Sequence, residues 1–476
     1  MKALPALAAP WLALLFLTPL AAGGRAEGIP PADPLEAILD SLRSDPDTLL
    51  HWDTSIPPQW KAQGDTAAWM PPAGEASQQN RYGPSVEIDG SPELRFTKVQ
   101  GVAAGAGLGV VFKGLKDLHL GGALRRSLER GAWEGYGVVG VFTAGAGRTR
   151  LPTSPGLRVT GGGASSPGSP PAGPPGYLRE KGWGVVLGWS DQPTPFGSNR
   201  VHGTTLAGGL GGLDHQSYLQ RRERAAALLL HPARAIHGDV AFVQREDRPL
   251  KPVADGLLDL DEDVMGSNPR ADRANLHGIT TAVSLGDAGD DPKAESGVWL
   301  RAGFWGGALK GEREFYTAGA EARREWTLPP RSKLETEVRL GFAGGDPPIQ
   351  DMPDLGGEGS LRAYPPRAFS GPAACLLRVD YLLGVDLFRA ARVPVLKGLK
   401  LQPVISFDAG AVWGDAPWDG ADALAFPDAR DWRFDAGAGL QKYIGFPPFL
   451  SAVRLEAAFR LDRERDRLRV NFLLIP

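Results

Sequence analysis

The residues best placed to do chemistry lie in Leu355-Gly356-Gly357-Glu358-Gly359-Ser360-Leu361-Arg362-Ala363-Tyr364-Pro365-Pro366, a stretch between two segments of strict apolar/polar alternation. Its glycines let the backbone take positive φ and approach another wall closely, and its prolines stiffen the exit. It therefore reads as a long loop that carries one guanidinium, Arg362, to a receiving surface. On the strands that follow, one parity collects Asp408 and Gly410, then Arg433, Asp435, Gly437 and Gly439. Glycines on that face remove side-chain bulk and leave a notch, with carboxylates at its edge to pair with a guanidinium. The chemistry is ion pairing rather than bond making. The seven histidines show no metal-ligand spacing and no serine sits in a nucleophile motif, so no enzyme activity, catalytic residue, metal or cofactor is expected. The acidic cluster Asp259, Asp261, Glu262 and Asp263 lacks the glycine and distal glutamate of a calcium loop and reads as a solvated turn.

Leu361-Arg362-Ala363-Tyr364, with Gly356 and Gly357 ahead of it, resembles the sixth extracellular loop of the BamA/TamA-type outer-membrane superfamily, the bacterial surface antigen family. Phe407-Asp408-Ala409-Gly410-Ala411-Val412-Trp413 is similar to that family's aromatic-Asp-x-Gly strand, and Asp435-Ala436-Gly437-Ala438-Gly439-Leu440 to the next one. The three matches occur in the right order over the last third of the chain. The departure is Ala363, where the family has glycine. The resemblance implies a β-barrel of the bacterial outer membrane whose loop motif (Gly356, Gly357, Leu361, Arg362, Tyr364) folds back on lumen partners (Asp408, Gly410, Asp435, Gly437, Gly439). It also implies insertion or translocation of protein, acting on a protein cargo or with a separate periplasmic partner.

The elements that position these residues begin with export. Lys2 and the apolar run Trp11–Leu17, bracketed by Pro10 and Pro19, make a signal peptide over 1–26, since the run is short of the about 20 residues a spanning helix needs. Residues 27–98 read as a periplasmic leader with one short helix, capped by Asp33 and closed by Pro46. The leader lacks the strand-helix-helix-strand-strand periodicity of the polypeptide-transport-associated domains found in resembling proteins. From Gly101 the pattern turns to period two, and 99–476 reads as the barrel. Strands are expected near 101–112, 116–127, 133–144, 180–190, 199–211 and 222–231, then 236–247, 275–286, 295–306, 313–328 and 331–344. After the arginine loop they fall near 373–386, 398–413, 431–442, 449–461 and 466–475. That makes a 16-stranded antiparallel transmembrane barrel, an even count as such barrels require. By parity, 145–178, 248–274 and 345–372 fall outside and the turns at 232–234 and 329–330 inside.

Leu377, Val379, Tyr381, Leu383 and Val385 share one face of their strand while Arg378, Asp380 and Asp386 take the other; 449–461 and 466–475 alternate likewise. One face suits lipid and the other suits water or fixed ion pairs, although a soluble sandwich would show the same alternation with its faces reversed. The signal peptide and the loop motif favour the membrane, with outer-membrane lipid as one partner. One cysteine, Cys375, permits no internal disulfide, and a net charge of −3 gives no case for nucleic acid. A passive pore or surface receptor on the same barrel is the alternative, and a barrel-embedded lipid-modifying enzyme a remote one.

Overall fold

A computed structural model describes residues 85–113, 118–142, 182–197, 217–233, 236–253, 268, 270–285, 296–329, 332–386, 401–414, 427–446, 450–462 and 468–475. The chain divides into two compact units, 1–65 and 66–476, and every described residue belongs to the second. The signal peptide, the leader helix, the strand expected over 199–211 and the acidic cluster at 259–263 lie outside the described residues.

Among the described residues the period-two pattern becomes strand. Before the arginine loop come β1 (Ser85–Thr97), β2 (Gly101–Lys113), β3 (Leu118–Ser127), β4 (Trp133–Phe142), β5 (Gly182–Phe196), β6 (Ser217–Ala233), β7 (Ile236–Pro249), β8 (Ala274–Leu285), β9 (Ser296–Trp305), β10 (Phe315–Leu328) and β11 (Ser332–Gly345). Two short strands within the loop, β12 (Asp354–Leu355) and β13 (Phe369–Ser370), pair only with each other. Then follow β14 (Ala373–Leu382), β15 (Gln402–Trp413), β16 (Trp432–Phe446), β17 (Leu450–Arg460) and β18 (Leu468–Ile475). All except β12 and β13 form one sixteen-stranded antiparallel sheet in simple chain order.

Fifteen of the sixteen expected strands are found and the one expected over 199–211 lies outside the described residues; the sheet's remaining strand is β1, and two parts of the expectation do not hold. β1 lies inside residues 27–98, which the sequence assigns to a leader; its Pro92 and isolated glycine hide the alternation, and only pairing with β2 over thirteen residues reveals it. With β1 counted, the connection between β4 and β5 leaves the sheet at the end opposite the arginine loop. The expectation that 145–178 lies on the same side as 248–274 and 345–372 is therefore corrected. It belongs with the tight turns between β6 and β7 and between β10 and β11.

The two faces of the sheet are inverted relative to a soluble protein. Leu187 is 56% exposed, Phe242 47% and Val470 63%, whereas Arg245, Asp408 and Asp435 are fully buried. Burial of such apolar side chains is worth about 1.5–3 kcal/mol each, so a sheet in water would turn this face inward. Here the charged face is the one covered, by the segment 346–372 and by its own ion pairs.

Contacts also join strand ends that are not neighbours in the sheet. The loop between β7 and β8 donates Val253 N–H to the Lys98 carbonyl in the β1–β2 turn at 2.8 Å, joining distant strand ends. That turn is built on Gly101 at φ 64°, and Gln100 in it reaches Glu134 on β4.

β1 is expected to be integral to the sheet. A chain beginning at residue 99, refolded in detergent, should melt below one beginning at residue 85 in a circular-dichroism scan, because it bares the β2 edge. Equal melting would make β1 dispensable.

Candidate functional site

The receiving surface follows from register. Across β11, β14, β15, β16 and β17 one row on the covered face reads Glu337, Arg378, Asp408, Asp435 and Arg460. Two carboxylates, Asp408 and Asp435, stand directly opposite each other, an arrangement that costs stability by like-charge repulsion. The loop supplies what the row lacks. Arg362 Nε lies 3.1 Å from Asp408 Oδ2, and the Ala363 N–H donates to Asp435 Oδ2 at 3.1 Å. Of the two carboxylates proposed from sequence as arginine partners, Asp408 takes the guanidinium and Asp435 takes the adjacent backbone amide.

Arg362 has two further partners: Asp380 Oδ1 on β14 at 2.7 Å and Glu456 Oε1 on β17 at 3.0 Å. The guanidinium, 1% exposed, is thus ringed by three carboxylates. Those carboxylates are shared in turn with Arg378, 3.6 Å from Asp408, and Arg454, 3.1 Å from Asp380. The chain of pairs runs on through Glu337 to Arg339, Arg323 and Glu321. Buried charges persist only when paired in this way.

The loop backbone is held as firmly as its side chain. Arg460 Nε donates to the Ala363 carbonyl at 3.1 Å, Arg469 Nη1 to that of Tyr364 at 2.5 Å, and Asn471 Nδ2 to that of Arg362 at 3.2 Å. Arg339 Nη1 donates to the Gly359 carbonyl at 2.8 Å. Tyr364 gives its hydroxyl proton to Asp462 at 2.7 Å, with the Arg460 guanidinium 4.6 Å from its ring centre.

Gly356 and Gly357 take φ of 117° and 91°, and a Cβ on Gly356 would stand 2.2 Å from the Pro365 carbonyl oxygen. Ala363 is absent from the positive-φ residues, so it fits where the resembling family has glycine without backbone strain. The notch has different guests from those expected. A Cβ at Gly410 would meet Leu355 Cδ1 at 2.7 Å, so this glycine admits a leucine; Leu355, Leu361, Ala363 and Tyr364 form an apolar cluster with Ala374, Leu376 and Ala458. Gly437 and Gly439 instead make room for Glu456, whose Oε1 would lie 2.6 Å and whose Cα 3.0 Å from the added Cβ atoms. They position a carboxylate that sequence reasoning left out.

A second anchor lies at the start of the loop, and the sequence reading missed it altogether. Asp351 pairs with Arg245 on β7, which stacks 4.7 Å over Trp305 and contacts Asp247; Arg221 on β6 holds Asp247 at 2.8 Å. Gln350 bridges Asp247 and the Asp272 backbone. Arg367, 2.9 Å from Asp354, stacks on Phe196 of β5. Arg221, Arg245 and Asp247 fall on the buried parity of β6 and β7, but their sequence neighbours Gln220, Arg222, Gln244, Glu246 and Arg248 are polar as well, so no alternation marked them.

Glu358 is buried in the loop, and burial pushes its carboxyl up to about 7 against the opposing pull of Arg469.

What fold and site define is a sixteen-stranded meander with an exposed apolar face and a charged, loop-covered one. The sequence matches no protein-family profile and no curated protein. Among solved structures, the chain is similar to BamA from Haemophilus ducreyi lacking POTRA domains 1–3, at 12% identity and TM-score 0.45 over 83% of this chain and 71% of that one. It is similar to CdiB from Escherichia coli at 14% identity and TM-score 0.38, over 81% of this chain and 62% of that one. It is similar also to Pseudomonas aeruginosa OccK11 (OpdR) at 11% identity and TM-score 0.28, over 82% and 92%.

Two outcomes test the site. Arg362→Ala and Glu456→Ala should each cost about 3–5 kcal/mol, because each strands buried charge, and the double variant should cost far less than the sum in denaturant unfolding; additivity would mean that the two groups do not interact. For Glu358, a folded pKa above the ordinary value contributes stability below about pH 4.5 that is lost as pH rises through about 7. The wild type should therefore lose stability over that window relative to Glu358→Gln, and parallel pH profiles would refute the assignment.

Proposed function

We propose that this chain spans a bacterial outer membrane as a closed β-barrel and takes part in inserting or translocating protein there, without enzymatic activity, by way of the docked arginine loop. The observation that carries the membrane half is the inverted burial. Outward-facing Leu187, Phe242, Ile405, Phe459 and Val470 are exposed while the opposite parity is charged and buried. Hydrocarbon is the solvent in which that distribution is favourable, and contiguous exposed apolar surface of this kind on a soluble protein would drive association.

The transport half rests on the resemblance of Leu361-Arg362-Ala363-Tyr364 and its two following strands to the BamA/TamA-type superfamily. The geometry of the loop is compatible with it. One segment ties β5–β7 to β14–β18 across the charged face, which favours a plugged interior over a freely conducting pore. One serine–histidine pair among the described residues gives a hydrolase no support. His237 and Ser284 stand opposite each other on β7 and β8, yet the Ser284 hydroxyl makes no hydrogen bond.

The membrane half is tested by Val240→Arg, in the middle of the outward apolar run of β7. On a lipid-facing surface near the bilayer midplane it should cost about 2–4 kcal/mol in unfolding from lipid vesicles, whereas an exposed position in water shows changes within about 0.5 kcal/mol. The transport half is tested by reconstitution with an unfolded barrel protein as cargo. Wild type should accelerate its insertion into vesicles and Arg362→Ala should not; no acceleration by the wild type would remove this reading while leaving the barrel standing.

A further inference from the structure

The apolar face is not uniform. Between β3 and β5 it is indented, because Gly122, Gly135 and Gly137 fall on the outward parity at neighbouring register positions. The depression has a volume of about 840 Å³, within the about 300–1,000 Å³ typical of small-molecule sites. Its walls are Leu124, Val139, Leu187 and Trp189, each more than two-fifths exposed. Its lining is mostly apolar.

Its rim, at the end of the sheet from which the arginine loop leaves, is basic. Arg126 on β3 lies with its guanidinium 5.8 Å from the centre of the Trp133 ring, one pair of residues above the indentation. Arg224 on β6 is the register partner of Trp189, the wall residue. Both arginines are exposed, and neither has an ion-pair partner among the described residues. The nearby outward carboxylates are already taken: Asp191 pairs with Arg222 at 2.9 Å, and Glu246 with Arg248 at 2.5 Å. Two exposed arginines with no carboxylate partner among the described residues therefore flank an apolar groove.

We propose that this groove is a binding site for an anionic, phosphate-bearing acyl lipid, with an acyl chain lying over the glycines and the phosphate between Arg126 and Arg224. The inference rests on the membrane-spanning reading. Charge selects the occupant, since a zwitterionic lipid would fill the groove equally well but gain little from two free arginines. An exposed arginine near a membrane surface favours an anionic lipid by about fivefold. A second copy of this chain would instead bring like charge to like charge in a two-fold contact.

The test uses the full chain reconstituted in vesicles of phosphatidylcholine or phosphatidylglycerol carrying brominated acyl chains, which quench tryptophan on contact. The signal of Trp133 and Trp189 is isolated by difference from a Trp133→Phe/Trp189→Phe variant. Quenching of these two should saturate at about a 25-fold lower mole fraction of brominated phosphatidylglycerol than of brominated phosphatidylcholine, about fivefold for each arginine. Arg126→Gln/Arg224→Gln should abolish that preference and keep the quenching. Gly137→Leu should fill the groove and reduce the quenching by phosphatidylglycerol; a Cβ there meets nothing within 4 Å, so the fold tolerates it. Equal quenching by both lipids in wild type overturns the site and leaves the membrane reading intact, whereas quenching by neither overturns the membrane reading itself. A change of oligomeric mass in Gly137→Leu, by light scattering, would assign the groove to a second copy and sink the lipid.

Discussion

Two carboxylates that the sheet register forces face to face govern the rest of this structure. Asp408 and Asp435 lie opposite each other on β15 and β16, both fully buried, where mutual repulsion and lost hydration act together. The sheet alone meets this only in part, through Arg378 beside Asp408 and Arg460 beside Asp435 in register. The guanidinium of Arg362 and the amide of Ala363 complete it from outside the sheet. Docking the loop is thus part of making the sheet stable. The neighbouring inward glycines serve side chains rather than loop backbone: Gly410 admits Leu355, and Gly437 and Gly439 make room for Glu456.

The same constraint explains why the loop has two anchors. A segment held at Arg362 alone would pivot, since its upstream arm has only β12 and β13 to stiffen it. Pairing of Asp351 with Arg245, and the bridge from Gln350 to Asp247, fix that arm on β7. Arg367 ties the exit back to Asp354 and rests on Phe196. The loop therefore couples strands more than one hundred residues apart in sequence, and its buried Glu358 sits between the two anchors with a carboxyl whose charge is costly.

How much of this could be read from sequence depends on whether it is a property of parity or of register. Parity is local: the alternation in β10, β11 and β14–β18 placed the charged residues on one face, and glycine and proline chemistry marked 355–366 as a loop. Asp408 as the partner of Arg362 was legible for that reason. Register is not local, and Asp435 accepting an amide, or Glu456 reaching the arginine over the space left by Gly437 and Gly439, depends on how three strands slide past one another. β1 escaped notice because its alternation is interrupted at Gly90, Ser91 and Pro92, and pairing with β2 alone defines it. Ala363 raised a question of strain that only its dihedral angle could close.

The inverted faces carry a requirement for the sheet edges. β1 and β18 end the strand order, and each edge presents unpaired backbone groups. In water such edges are solvated at little cost. In hydrocarbon each unpaired group costs several kcal/mol, so a sheet with this apolar face needs its two edges satisfied by each other or by another chain. The arginine loop links distant strands of the sheet, since it touches Phe196 on β5 and Arg245 on β7 at one side and Asn471 on β18 at the other. The buried ion pairs that hold the loop therefore also hold these strands to one another. Weakening the pairs at Arg362 acts on the β18 edge as directly as on the loop.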